Sequence, residues 1–350
     1  MLDIGGWAGV LSRVGAGEEL SSSESAVVMR EMLEGTASQS QIAAFIFGLR
    51  CKGETVEELM GMLHAMLEVA ETVPVPSELA RRLVDTCGTG GDRSGTINIS
   101  TIAALVVAGA GVPVCKHGNR AMSSRTGSAD VFEALGVEIA LPPASVARCI
   151  EQAGIGFCFA PRYHPAMRNV AQARRELGVP TAFNLLGPMA NPARPRFQLV
   201  GVGDGRVAER LARVLGSAGS ERAWVVHGHD GLDELSTVAR STVVEWRGGE
   251  VRTFEVDPAA LGLDEACTED LRGGDAAANA QVAHDVLGGA RGPQRDVVLL
   301  NAAAALAVVG EAEDLEGGLL LAEQSIDSGQ ARSCLDRLVK VSQAEAVLTA

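Results

Sequence analysis

Through the first seventy residues apolar positions recur with helical spacing. Ile42, Phe45, Ile46 and Leu49 fall on one stripe, and Leu59, Met62, Leu63, Met66 and Leu67 on another. Ser38 with Gln41 precedes the first stripe, Thr55 with Glu58 the second, and Ser21 with Glu24 repeats the spacing upstream. A hydroxyl followed three residues on by Glu or Gln is the signature of a capping box at a helix start. Gly35 and Gly53 stand where helices should stop, and Val73-Pro74-Val75-Pro76 reads as an extended linker closing the helical block. The Met and Phe positions read as core.

From Leu83 the texture changes. Short β-rich runs at Leu83–Val84, Val112–Cys115, Ile155–Phe159, Phe197–Val202 and Trp224–Val226 alternate with helical runs at Thr101–Ala108, Ala129–Leu135, Ala144–Ala153 and Arg206–Leu215. Such alternation predicts an α/β domain with a mainly parallel sheet. Thr242–Trp246 and Val251–Phe254, flanking Gly248-Gly249, predict a hairpin. The tail after Asp296 is helical again. Residues 165–188 are helical between prolines and glycines, and pattern alone leaves them open to either domain.

Bulk properties narrow the class. With 350 residues, 47% of them apolar, two domains with ample core are expected. The apolar runs Ile102–Val114 and Val297–Val309 are too short to span a bilayer, and no secretory pattern is expected at the start. Seven scattered cysteines without CxxC spacing read as reduced cytosolic thiols. A net charge of −14 argues against nucleic acid and anionic membranes as partners. Residues 113–175 run the other way, with eight Lys and Arg against four Asp and Glu, which suits a small anionic ligand.

Three strand ends carry the chemistry. Asp85-Thr86-Cys87-Gly88-Thr89-Gly90-Gly91-Asp92 runs from a strand into a glycine loop and on to Asn98-Ile99-Ser100-Thr101 and a helix. Glycines allow close approach of the backbone, and a helix start offers N–H donors and a positive dipole end to phosphate. The spacing is neither a Walker loop nor GxGxxG. After the second strand, Lys116-His117-Gly118-Asn119-Arg120 and the hydroxyls of 123–128 supply cations and donors. After the strand at 224–226 come adjacent Asp233 and Glu234, oxygen ligands of the kind magnesium takes together with substrate phosphates. His227 and His229 have no third nitrogen or sulfur ligand nearby, which disfavours zinc. Asp264-Glu265 follows no strand and reads as surface.

Taken in order, these segments resemble the anthranilate phosphoribosyltransferase family. His164-Pro165-Ala166-Met167, Phe183-Asn184-Leu185-Leu186-Gly187-Pro188, Leu232-Asp233-Glu234-Leu235-Ser236 and Gly273-Gly274-Asp275-Ala276 extend the likeness over nearly the whole chain. The resemblance implies a small α-helical domain, residues 1–76 with inserted helices near 165–188. It also implies a larger α/β domain, 77–164 and 189–350, of nucleoside phosphorylase/phosphoribosyltransferase type. Implied too are a cytoplasmic homodimer joined through the helical domain and a site in the interdomain cleft. There Gly88, Thr89, Gly90, Gly91, Asp92, Thr96, Asn98, Ser100, Thr101, Lys116, Ser124 and Ser128 would hold 5-phosphoribosyl-1-pyrophosphate. Ser100, Asp233 and Glu234 would bind one or two magnesium ions. Anthranilate would meet Gly88, His117, Asn119, His164, Arg174, Gly187 and Pro188.

The residue types agree: an arginine pairs bidentately with a carboxylate, and anthranilate has one. His164 stands where it would cap a helix start. Two stretches depart from the family pattern, Thr237-Val238-Ala239-Arg240-Ser241 after Ser236, and Pro180 where many relatives carry Arg. The alternatives are a pyrimidine nucleoside phosphorylase, whose base-binding Arg and Lys motif is not found here, and a non-catalytic nucleic-acid-binding relative, which should be basic overall.

Overall fold

The computed structural model describes residues 4–92, 94–121 and 125–349. Four helices open the chain: Gly6–Gly15, Ser22–Glu34, Gln39–Lys52 and Val56–Glu68. All three anticipated capping boxes form. Ser21, Ser38 and Thr55 each accept the N–H three residues on, and the side chains of Glu24, Gln41 and Glu58 accept the cap residue's own N–H. Two donors that a helix start leaves bare are thus satisfied at each. Gly35 ends the second helix at φ 76°, a left-handed turn that glycine takes without strain.

Beyond a linker lies a seven-stranded sheet: β1 Val84–Gly88, β2 Val114–Gly118, β3 Ile155–Phe159, β4 Phe197–Gly201, β5 Arg222–Gly228, β6 Ser241–Arg247 and β7 Glu250–Val256. Their spatial order is β3-β2-β1-β4-β5-β6-β7. The first five are parallel, and β6 and β7 form the antiparallel hairpin at one edge. β1 and β2 run further than the apolar pattern indicated, through Gly88 and Gly118. Asp85, Thr86, Lys116 and His117 are therefore buried strand residues and not loop residues. Apart from His117 Nε2, their polar groups tolerate burial because they hydrogen-bond to one another and to the backbone. A helix at Ala276–Leu287 was also not anticipated. Its alanines blur any apolar stripe, and Asp275 starts it by accepting the Ala278 N–H at 2.9 Å.

Two apolar cores form. One lies among β1–β3 and the helices Ile99–Gly109, Pro143–Ala153 and Pro293–Val309, with the last two helices of the chain behind them. The other runs from the four opening helices through Arg168–Leu177, Ala182–Met189 and Ala208–Ser217 to Val200, Val225 and Val244 of the sheet. Residues 168–189 are stitched to the opening helices by polar contacts as well. Gln39 Nε2 donates to the Asn169 carbonyl at 2.9 Å, and Asn169 Nδ2 to the Leu33 carbonyl at 2.7 Å. The chain crosses between this helical layer and the sheet three times, at 69–76, 164–167 and 190–196. Among the described residues no helix is long and apolar enough to cross a membrane.

Candidate active site

At β1 the sheet order turns from the β2 side to β4, and in open α/β sheets ligands bind beyond the carboxyl ends of strands at such a point. A cavity of about 700 Å³ opens there, walled by the sheet loops on one side and by residues 160–190 with Met66 on the other. Every site residue expected from the sequence that the structure describes lines it. Ser123 and Ser124 lie outside the described residues.

The glycine loop is shaped by its neighbours. Thr89 N–H donates to the Gly201 carbonyl at 2.9 Å, and Gly90 N–H to Asp233 Oδ2 at 2.7 Å. Gly90 and Gly91 have φ of 65° and 80°, a turn that side chains rarely adopt. A Cβ on Gly88 would collide with the Asp233 carboxylate. The loop thus lies directly on the acidic pair. Glu234 Oε1 accepts the Ser100 N–H at 3.1 Å, so one carboxylate caps the helix that begins at Ile99. Lys116 Nζ is buried, donating to the Thr86 carbonyl and, at 3.2 Å, to Ser100 Oγ.

The electrostatics reveal a surplus of negative charge. Burial, then Asp92 and Glu234, push the Asp233 carboxyl well above the ordinary carboxylate range. Burial raises Glu234 to about 7 even though Lys116 and Ser100 pull the other way. Among the described residues no three His, Cys, Asp or Glu side chains cluster as a metal site of their own. A metal here needs further oxygen from Ser100 or from a bound phosphate, and the uncompensated charge of the pair fits a divalent cation.

Toward the opposite wall, His117 Nδ1 donates to the Gly187 carbonyl at 3.2 Å, which leaves Nε2 as the bare nitrogen. The ring packs edge-on to His164, centroids 5.3 Å apart. Both Nε2 atoms are buried without a partner among the described residues. Burial, with His164 and Lys116 nearby, depresses His117 to about 3, and burial lowers His164 too. His164 does precede a helical turn, but its side chain makes no cap hydrogen bond and is turned into the cavity wall. Arg174 lies 5.1 Å over the Phe183 ring and has no carboxylate partner among the described residues, while Arg175 is more exposed.

Arg120, counted from sequence as a second phosphate cation, is instead tied to Asp130 at 2.9 Å and Glu133 at 2.5 Å. Three residues in or beside the site were given no role from sequence. Asp85 is wholly buried and accepts the His117 N–H at 3.2 Å and Asn191 Nδ2 at 2.8 Å. Asn279 Nδ2 donates to Asn98 Oδ1 at 2.7 Å, fixing the helix start from behind. A charged residue inside an apolar strand was the available signal for Asp85, and Gly-Gly-Asp as a helix start for Asn279. Asn191, in a linker, offered none. Both departing stretches are held by hydrogen bonds of their own. Ser236 Oγ accepts the Val238 N–H at 2.9 Å and holds its turn, and the Pro180 carbonyl accepts Arg50 Nη1 at 2.8 Å.

Comparison with known proteins accords with this geometry. The family model described as "Glycosyl transferase family, helical bundle domain" matches residues 8–70, and "Glycosyl transferase family, a/b domain" matches 80–332. An anthranilate phosphoribosyltransferase from Thermomicrobium roseum is 53% identical over 96% of this chain and 97% of its own. The solved anthranilate phosphoribosyltransferase of Thermus thermophilus superposes with a TM-score of 0.90 at 41% identity, covering 95% of this chain and 99% of its own. That of Saccharomyces cerevisiae, in complex with PRPP and Mg, gives 0.87 at 27% identity, covering 97% and 98%.

Proposed function

The chain belongs to the anthranilate phosphoribosyltransferase family, and from that premise we propose how its own residues carry the reaction. The enzyme transfers the phosphoribosyl group of 5-phosphoribosyl-1-pyrophosphate to the amine of anthranilate. The products are N-(5-phosphoribosyl)anthranilate and pyrophosphate, the second step from chorismate to tryptophan. The observation that carries the site reading is the meeting of the glycine loop, Lys116 and the acidic pair in one cavity.

The glycine loop with Asn98, Ser100 and Thr101 would bind the phosphates of the ribosyl donor, and Lys116 would face them as the buried cation. Asp233, Glu234 and Ser100 would hold magnesium, one or two ions per subunit, which when bound would supply positive charge to offset that of the departing pyrophosphate. Departure leaves oxocarbenium character on the ribose, and the anthranilate nitrogen attacks that carbon. An aromatic amine is neutral at pH 7, so alignment and charge stabilisation can supply most of the acceleration without a strong base. Arg174 would pair with the anthranilate carboxylate. The unprotonated His117 and His164 edges, with Gly187, Pro188, Gly88 and Asn119, would shape the ring's channel.

We assign residues 1–76 with 165–188 to the helical domain and 77–164 with 189–350 to the α/β domain, as the packing of 168–189 on the opening helices supports. Exposed Phe47 and Val179 give that layer an apolar surface suited to a homodimer, which light scattering would register as twice 36.3 kDa. Seven unbonded cysteines suit the cytoplasm. The direct test is loss of anthranilate fluorescence on adding enzyme, 5-phosphoribosyl-1-pyrophosphate and magnesium; unchanged fluorescence refutes the activity. The Asp233→Ala/Glu234→Ala variant should turn over about 100-fold more slowly, and full activity at every magnesium concentration refutes the metal assignment. Uridine or thymidine phosphorolysis should be absent.

A further inference from the structure

The sheet is interrupted at the place where it presents its functional side chains. β1 pairs with β4 along its whole length, from Val84 opposite Phe197 to Gly88 opposite Gly201, and β2 pairs with β3 as fully. Between β1 and β2 the ladder holds only at Val84 opposite Val114. Continued in that register, a parallel ladder would have Thr86 accept the His117 N–H and donate to the Cys115 carbonyl.

Side chains take those groups instead. The His117 N–H goes to Asp85 Oδ1 at 3.2 Å, and the Cys115 carbonyl accepts Asn191 Nδ2 at 2.7 Å. The Thr86 carbonyl accepts Lys116 Nζ. Asn191 Nδ2 also donates to Asp85 Oδ2 at 2.8 Å, and Asn191 Oδ1 accepts the Ala193 N–H at 2.9 Å. The His117 N–H and the Cys115 carbonyl therefore depend on Asp85 offering two acceptor oxygens and Asn191 offering an amide, while the Thr86 carbonyl depends on Lys116.

We propose that Asp85 and Asn191 are a positioning pair that replaces one rung between β1 and β2, and that this replacement aims Lys116 and His117 into the cavity. Neither residue lines the cavity itself. A regular rung would draw the two strand ends together and occupy the Thr86 carbonyl on which the Lys116 ammonium rests. A carboxylate is required at 85 because two donors converge on it; an amide there turns an N–H toward one of them. The low dielectric makes that mismatch costly, since buried polar groups without partners lose their full solvation.

The inference rests on the roles given above to Lys116 and His117. Four variants of the whole enzyme test it in the fluorescence assay with magnesium: Asp85→Asn, Asn191→Ala, the exchange pair Asp85→Asn/Asn191→Asp, and Lys116→Ala. Ile326→Ala, buried in the core remote from the cavity, serves as a stability control. A misplacement of about 1 Å costs roughly 100-fold in rate, so Asp85→Asn should lose about 100-fold in kcat/KM. That loss should include a raised KM for anthranilate through His117 and a lowered kcat through Lys116. The exchange pair should recover about tenfold, because the amide at 85 then meets a carboxylate, although the Cys115 carbonyl loses its Asn191 donor in that variant. Ile326→Ala should melt lower yet keep kcat/KM within about threefold of wild type. If Asp85→Asn folds with wild-type constants while Lys116→Ala is impaired, the pairing has no positioning role and the proposal fails alone. If Lys116→Ala is unimpaired, the site reading beneath it fails. Should Asp85→Asn not fold, Asn191→Ala decides: wild-type kcat and KM in that variant overturn the proposal, and the same split supports it.

Discussion

His117 carries its ring into the protein as a neutral group, and the price appears on acidification. Its folded value of about 3 lies below the ordinary 6.5. Between those values the unfolded chain takes up a proton that the native protein refuses, so stability contributed by the neutral ring falls as pH drops below 6.5 and is lost progressively toward 3. From pH 6.5 to 5 the loss should be about 1–2 kcal/mol. Urea unfolding of wild type and His117→Gln at pH 7.5 and 5 measures it, with the variant expected to lose less on acidification. At Gly88 the constraint is space. Gly88→Ala should displace the Asp233 carboxylate and lower kcat/KM by about 100-fold, read in the fluorescence assay with little change in melting temperature. At this scale much of the site was legible in the sequence, because Lys116, His117, Asp233 and Glu234 belong to polar stretches that follow apolar strand runs. Arg120 shows the limit: its type suited a phosphate, but its partners lie ten and thirteen residues away on the following helix.

The acidic loop owes its place to an element far along the chain. Asn301, in the middle of Pro293–Val309, accepts the Leu235 N–H at 3.0 Å and donates to the Leu235 carbonyl at 2.9 Å, acting as a surrogate strand edge for the loop. Asn301→Ala leaves both Leu235 groups buried and unpaired, which should destabilise the protein by about 1–3 kcal/mol. It should also raise the magnesium concentration needed for half-maximal rate, since Glu234 is the neighbouring residue; thermal melts and a magnesium titration check the two effects. Nothing in the sequence around Asn301 marked this role, because a single amide within the apolar run Val297–Val309 reads as ordinary core. The elements themselves were largely visible, with the capping boxes the sharpest cases. The strand ends at β1 and β2 and the helix Ala276–Leu287 were not, since period and hydropathy fail where buried residues are polar or all small.

Across the whole molecule the α/β alternation and the hairpin were readable from pattern, whereas the allegiance of residues 165–188 came only through the family resemblance. Contacts such as Gln39 with Asn169 join positions far apart in the chain, and no local pattern encodes them. The triple crossing between the helical layer and the sheet has a mechanical consequence. Residues 168–189 stay tethered to the sheet at both ends while lying wedged among the opening helices, so covalent continuity at 69–76 is not what keeps those helices in place. A sequence-specific protease site set into the exposed residues near Pro74 should, once cut, yield two bands in denaturing gels. The nicked protein should nevertheless elute from a sizing column as one body and still consume anthranilate. Separate elution of the fragment without denaturant would mean that the peptide link, and not the wedge, does the holding.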